Sequence, residues 1–283
     1  MPRPLAQPMS FDSGGVTTMG SMFGDADALN LPLDFDMGSV VRINFMFQRT
    51  ARFNQPLAWD VSSVTTLEKI FYFAVAFNQP LVWDTSSVAY IDQGTLARAE
   101  LRSHACHLRL SQETERSRHA LAAFETATAF NQSLNLSSTS GVMSMDDLFT
   151  NAEVFNQPLD FDVSSVTSME KMLKYTDAFN QPLAFDTSRV TNMKEMLQHA
   201  LAFNQPLLFN TSLVRDFVAM LDNALPFDQP LPFDTSSVTD MTRMLRAPAF
   251  GGPLSFDTSS VTKMGGFLQF ASSFNAPLAF DVA

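Results

Sequence analysis

Cysteine is nearly missing from this chain. Cys106 is the single one among 283 residues, so no intrachain disulfide can form. Histidine is scarce as well. Four residues leave few general bases, and neighbouring Cys106 and His107 lack a visible third group to orient a nucleophile. With 11 glycines there is no Gly-rich phosphate loop. Positive charge is in short supply: 18 Lys and Arg stand against 29 Asp and Glu, a net charge of −11. That balance excludes the clustered cationic surface of a nucleic-acid binder and disfavours anionic lipid. No apolar run reaches the 18 residues that a membrane-spanning helix requires. The opening Met1-Pro2-Arg3-Pro4 is not followed by the apolar stretch of a signal peptide. No enzyme class is supported, and no cofactor is expected.

What the chain has in abundance is repetition. Phe179-Asn180-Gln181-Pro182-Leu183-Ala184-Phe185-Asp186-Thr187-Ser188 returns with substitutions about every 24 residues. Its first position falls at Leu5, Leu29, Phe53, Phe77, Phe130, Phe155, Phe179, Phe203, Phe227, Phe250 and Phe274. Each spacing is 23–25 residues except the 53 from Phe77 to Phe130. A fixed period in this range marks an array whose units touch only their neighbours. The expectation is one repeat domain over residues 1–283, about 11 coils with uncapped ends, and an inserted loop or helical excursion at 92–121. The insertion carries His104, Cys106 and His107, and its composition favours helix.

Counting the Phe as position 1, the columns separate by chemistry. Positions 5 and 7, such as Leu183 and Phe185, alternate around an outward position 6, which is strand spacing. Asp-Thr-Ser reads as a turn. Positions 15, 18, 19 and 22, such as Met193, Met196, Leu197 and Ala200, are spaced i, i+3, i+4, i+7 and predict one face of a short helix. Thr191 sits where its N-cap belongs, and Thr65 with Glu68 and Thr167 with Glu170 read as capping boxes. The predicted coil is therefore strand, turn, short helix, return: an α/β repeat solenoid with one short parallel strand and one short helix per ~24-residue coil.

The motif F-N-Q-P-L-x-[FW]-D-[TV]-S-S-V-T-x-M-x-x-M closely resembles the BspA-like leucine-rich-repeat surface proteins, in particular those carrying the repeat of unknown function 285. The likeness covers the chain outside the insertion, with Phe mostly replacing Trp before the Asp. The resemblance implies a leucine-rich-repeat-like right-handed superhelix, cell-surface or secreted location, and adhesion or ligand binding. It brings no catalytic residue.

Two columns are the candidate structural ladder. Asn54, Asn78, Asn156, Asn180 and Asn204 are expected to satisfy backbone groups at a bend, as in the asparagine ladder of leucine-rich repeats. Asp60, Asp84, Asp162, Asp186 and Asp234 are expected to accept turn amides. The Asp column could also bind calcium, but one carboxylate per coil is fewer than that ion needs. His104, Cys106, His107 and His119 could supply zinc ligands, at a spacing matching no standard zinc module. No metal site is assigned. Three glycosylation sequons begin at Asn131, Asn135 and Asn210.

Function follows from which columns vary. Positions 14, 16, 17, 20 and 21, for example Glu68, Lys69, Lys171, Lys174, Lys194, Glu195 and Arg243, differ between coils. Position 6 varies too, as Asp34, Ala58, Val82, Asp160 and Leu208. A protein or glycan ligand would read these positions, with no nucleic acid and no membrane insertion. The alternatives are an intracellular scaffold without a specific ligand and a metal-dependent repeat module.

Overall fold

The Pro of position 4 has no backbone donor, and the Asp of position 8 opens a turn, so two to four residues per coil remain free to pair as a strand. The computed structural model describes residues 8–84, 87, 123–136, 142–160 and 162–278. Residues 92–121, with His104, Cys106, His107 and His119, lie outside the described residues. Four short strands occur among the described residues: β1 (Met9–Ser10), β2 (Leu33–Asp34), β3 (Leu81–Trp83) and β4 (Leu134–Leu136). β1 pairs with β2 and β3 with β4, both in parallel, with Met9 opposite Leu33 and Leu81 opposite Leu134.

A second line of parallel bridges runs through position 14. It joins Thr18, Arg42 and Thr66, then Ser144, Ser168, Asn192, Asp216, Asp240 and Lys263. Each coil thus lies on the next in register. The coil of Phe77 meets that of Phe130 directly, 53 residues on, through β3–β4 and stacked rings 6.1 Å apart.

The predicted helix is absent. No helix occurs among the described residues, so the α/β class with one helix per coil is wrong for this chain, and with it the leucine-rich-repeat-like coil. Positions 15 to 22 form consecutive turns instead. The amides of Met196, Gln198 and Ala200 bond back three residues, to Met193, Glu195 and Leu197. The alternate amides, of Met193, Glu195, Leu197 and His199, bond to Asp216, Val218, Met220 and Asp222 of the next coil. A helix spends every amide on its own chain; here half are committed to the neighbour. The turns need a left-handed residue every four positions, such as Lys171 and Tyr175 (φ 57° and 56°) or Glu195 and His199 (55° and 59°).

The apolar spacing is nevertheless obeyed, because a four-residue turn repeat also sends positions 15, 18, 19 and 22 inward: Met193, Met196, Leu197 and Ala200 are fully buried. The N-cap and capping boxes fall with the helix. The Thr191 hydroxyl donates to the Thr167 carbonyl one coil back, and the Glu170 amide donates to Asp146.

The core is one continuous cluster from Met19 to Phe267. Its axis is the position-1 column, Phe53 to Phe274, whose successive rings stack 5.9–6.3 Å apart and within 10° of parallel. Aromatic pairs of this kind add about 0.5–1.5 kcal/mol beyond their burial. A second column, Phe23, Phe47, Phe71, Phe124 and Phe149, stacks at 5.6–5.7 Å and continues as Leu173, Leu197, Leu221 and Leu245.

The turn and helix readings differ in how they respond to glycine. In a helix interior, glycine costs about 1 kcal/mol. A left-handed L-residue carries a strain of roughly 1–2 kcal/mol that glycine removes. Arg49 has φ 55°, and its 3.7 Å pair with Asp25 is open to solvent and worth little. Arg49→Gly is therefore expected to hold or raise stability by up to about 1 kcal/mol in urea unfolding. Gly266→Ala, at φ 67° and with a new Cβ 3.2 Å from Gln269 Oε1, is expected to lower it by roughly 1–2 kcal/mol. The reverse pattern would reinstate the helix.

Candidate functional site

Three columns of side chains line the coil stack, and each does different work. The first is the asparagine column. Asn54 Oδ1 accepts the Asn78 amide at 2.9 Å and Gln79 Nε2 at 3.0 Å. The same pair of bonds runs from Asn78 to Asn131 and Gln132, across the 53-residue gap, and onward through Asn156, Asn180 and Asn204. At the far end Asp228 takes the asparagine's place, and its Oδ1 accepts the Gly251 amide at 2.9 Å. The glutamine of position 3 was not singled out from sequence, although its invariance beside the asparagine, from Gln55 to Gln229, was there to read. Asn180→Ala would orphan the Asn204 amide and Gln205 Nε2, and is expected to cost about 1–3 kcal/mol. Asn180→Asp keeps the acceptor, as Asp228 does, and should cost clearly less; equal losses in urea titrations would mean that the column is not held by these bonds.

The second column is the aspartate of position 8. Asp60, Asp162, Asp186 and Asp234 each accept, through Oδ1, the amide of the serine two residues on, at 3.0 Å. The serine hydroxyls and amides hold all four carboxyls below the ordinary carboxylate range. Asp84 stands in the same exposed column, near enough for its charge to act on Asp60. Asn210 replaces the aspartate in one coil and makes the same turn, taking the Ser212 amide at 3.2 Å and its hydroxyl at 2.8 Å.

The third set is the turn side, positions 14 to 21. Position 14 proves to be a second turn former: Asn192, Asp216 and Asp240 each accept the amide two residues on. Its restriction to Thr, Ser, Asn and Asp in most coils was the signal. The charged residues beside it, expected to face a ligand, are tied to one another. Lys174 meets Glu195 at 2.6 Å, Lys171 and Lys194 meet Glu170 at 3.1 and 3.5 Å, and Lys69 meets Glu125 at 3.1 Å. Asp222 is fully buried and receives Arg243 at 2.8 Å, Gln198 at 3.0 Å and Arg246 at 3.3 Å. His199 Nε2 lies 3.0 Å from Asn223 Nδ2, and burial pulls the imidazole below its usual range.

Asp146 is the one carboxylate of this side pushed far from its ordinary behaviour. Burial raises it to about 6, against hydrogen bonds from the Ser168 hydroxyl, the Glu170 amide and Ser144. A carboxyl raised on folding gives stability that is full below its unfolded pKa of about 3.8 and is lost as pH climbs through about 6. Asp146→Asn keeps an acceptor without the charge. Its melting temperature should exceed the parent's near pH 7.5, with the gap closing by about pH 4. A gap independent of pH would contradict this.

No group of three or more potential metal ligands occurs among the described residues, and no helix there is long and apolar enough to cross a membrane. The family described as "Mycoplasma protein of unknown function, DUF285" matches residues 5–103, 118–232 and 231–282. No curated protein and no solved structure matches the chain.

Proposed function

Since the chain belongs to the DUF285 family, whose description assigns no activity, we propose from its geometry that it is a non-enzymatic binding protein. In this reading it is a surface-displayed adhesion or protein-binding module of the kind found among BspA-like proteins, and it reads its ligand through exposed residues that change from coil to coil. The observation that carries the proposal is the contrast between columns. The inward positions are nearly constant Phe, Leu, Met, Val and Ala, while the exposed position 6 changes from Asp34 to Val82 to Leu208. Packing requires the first set and places no demand on the second. Val82 and Leu208 stand 77% and 78% exposed, and in this reading a ligand covers them.

The test is a binding screen. The purified chain, immobilised for interferometry, is expected to capture members of a panel of extracellular-matrix proteins or glycans. Binding should fall at least about tenfold when Val82 and Leu208 are both changed to Ser, the loss expected of central apolar contacts. A panel with no hit, or hits indifferent to the exposed columns, would favour the rival reading of a structural scaffold without a specific ligand.

A further inference from the structure

Charge is distributed very unevenly around the coil. On the turn side Lys and Arg answer the carboxylates in close pairs, as described for Lys174–Glu195 and Arg243–Asp222. The strand side is different. Positions 4 to 11 of the ten coils that begin at Leu5 to Phe250 carry ten aspartates and one cation, Arg189. Nearly the whole net charge of −11 therefore lies on this face.

The face is also apolar at its centre. Pro182, Ala184, Pro206, Leu208, Pro230 and Pro232 are all exposed and form a block three coils wide, edged by Asp186 and Asp234. These coils lie parallel, bridged at position 14 through Asn192, Asp216 and Asp240, and their Phe179, Phe203 and Phe227 rings stand 6.1 Å apart. An extended segment laid along the stack therefore passes from Asp186 over the Pro206–Leu208 coil to Asp234.

Resting on the binding reading above, we infer that this face docks a cationic, proline-rich extended segment of a partner protein. The segment lies along the coil stack, its Lys or Arg meeting position-8 aspartates such as Asp186 and Asp234 and its prolines resting on the Pro206–Leu208 block between them. The complementarity is double. The partner supplies the positive charge of which the face has only Arg189, and its prolines supply an apolar surface for the exposed Pro206, Leu208 and Pro230. A polyproline II segment is also ordered before it binds, so docking costs little entropy.

The variant that isolates charge is present in the sequence. Asn210 makes the same turn as the aspartates around it, so Asp186→Asn with Asp234→Asn is expected to fold with an unchanged melting temperature. The probe is a fluorescent (Lys-Pro-Pro)5 peptide, with (Glu-Pro-Pro)5 as its counterpart, titrated by anisotropy at low and physiological salt. The lysine peptide is expected to bind and the glutamate peptide not. The double variant should weaken binding roughly threefold to tenfold and flatten its salt dependence, the scale of two exposed ion pairs. Leu208→Ser should weaken it without altering the salt dependence. Equal affinity for both peptides, or no effect of the double variant, overturns the assignment. A chain that binds members of the matrix panel but not the lysine peptide overturns the cationic partner and leaves the binding reading in place.

Discussion

Every coil leaves half of its turn amides for the next coil to satisfy. The amides of Glu195, Leu197 and His199 have their acceptors in Val218, Met220 and Asp222, and those of Ala219, Leu221 and Asn223 in Thr242, Met244 and Arg246. A lone coil would therefore expose or orphan those donors, at a cost of about 1–3 kcal/mol for each one buried. The same dependence fixes the period, because an amide can find its acceptor only if the next coil is in register. It explains why the long spacing between Phe77 and Phe130 leaves no trace in the stack. The Phe71 amide bonds to Ala123 and the Asn131 amide to Asn78, as though the coils were consecutive. The extra sequence falls between β3 and the turns that resume at Ala123.

That commitment explains the strained backbone. Left-handed φ at Lys69, Lys171, Glu195 and Arg243 is unfavourable for each residue alone. It reverses the chain every four residues, so that one amide points back and the next points across. The strain is offset by inter-coil bonds and by a core in which one ring per coil, and a second from Phe23 to Phe149, stacks on its successor. Twisting or sliding one coil would break both at once, which makes the array stiff along its axis.

The repeat period, the inward columns and the place of the asparagines were legible because burial and stacking act on residue identity directly. Phe at position 1 and Asn at position 2 leave little freedom of interpretation. The turn run was not legible, for a specific reason. Met193, Met196, Leu197 and Ala200 are spaced as on a helix face, and a four-residue turn repeat yields the same spacing. The discriminating feature is a positive φ, which Gly or Asn would have advertised. Here the positions carry Lys, Glu, Tyr, His and Arg, and only a few coils show Asn or Asp there, as at Asn151, Asn223 and Asp147. The turn-side ion pairs were misread for a related reason. Lys174 and Glu195 are 21 residues apart in sequence, and only the register of the stack brings them to 2.6 Å.

The position-8 column separates what the fold requires from what it merely permits. Asp60, Asp162, Asp186, Asp234 and Asp257 each accept a serine amide there, Asp12 and Asp36 a glycine amide, and Asn210 makes the same turn without a charge. The turn therefore does not need a carboxylate. Yet the column keeps aspartate in nearly every coil, and neighbours act against one another: the charge of Asp84 raises the carboxyl of Asp60, Asp162 that of Asp186, and Asp257 that of Asp234. Serine hydroxyls and amides outweigh this repulsion at each site, so the carboxylates stay ionised side by side. Such a line of like charge does nothing for the fold that asparagine would not do. Arg189 lowers the carboxyl of Asp186 but is the one cation among these strand-side positions, so the column as a whole stays net negative, and the exposed prolines beside it give a cationic partner a surface that salt cannot use.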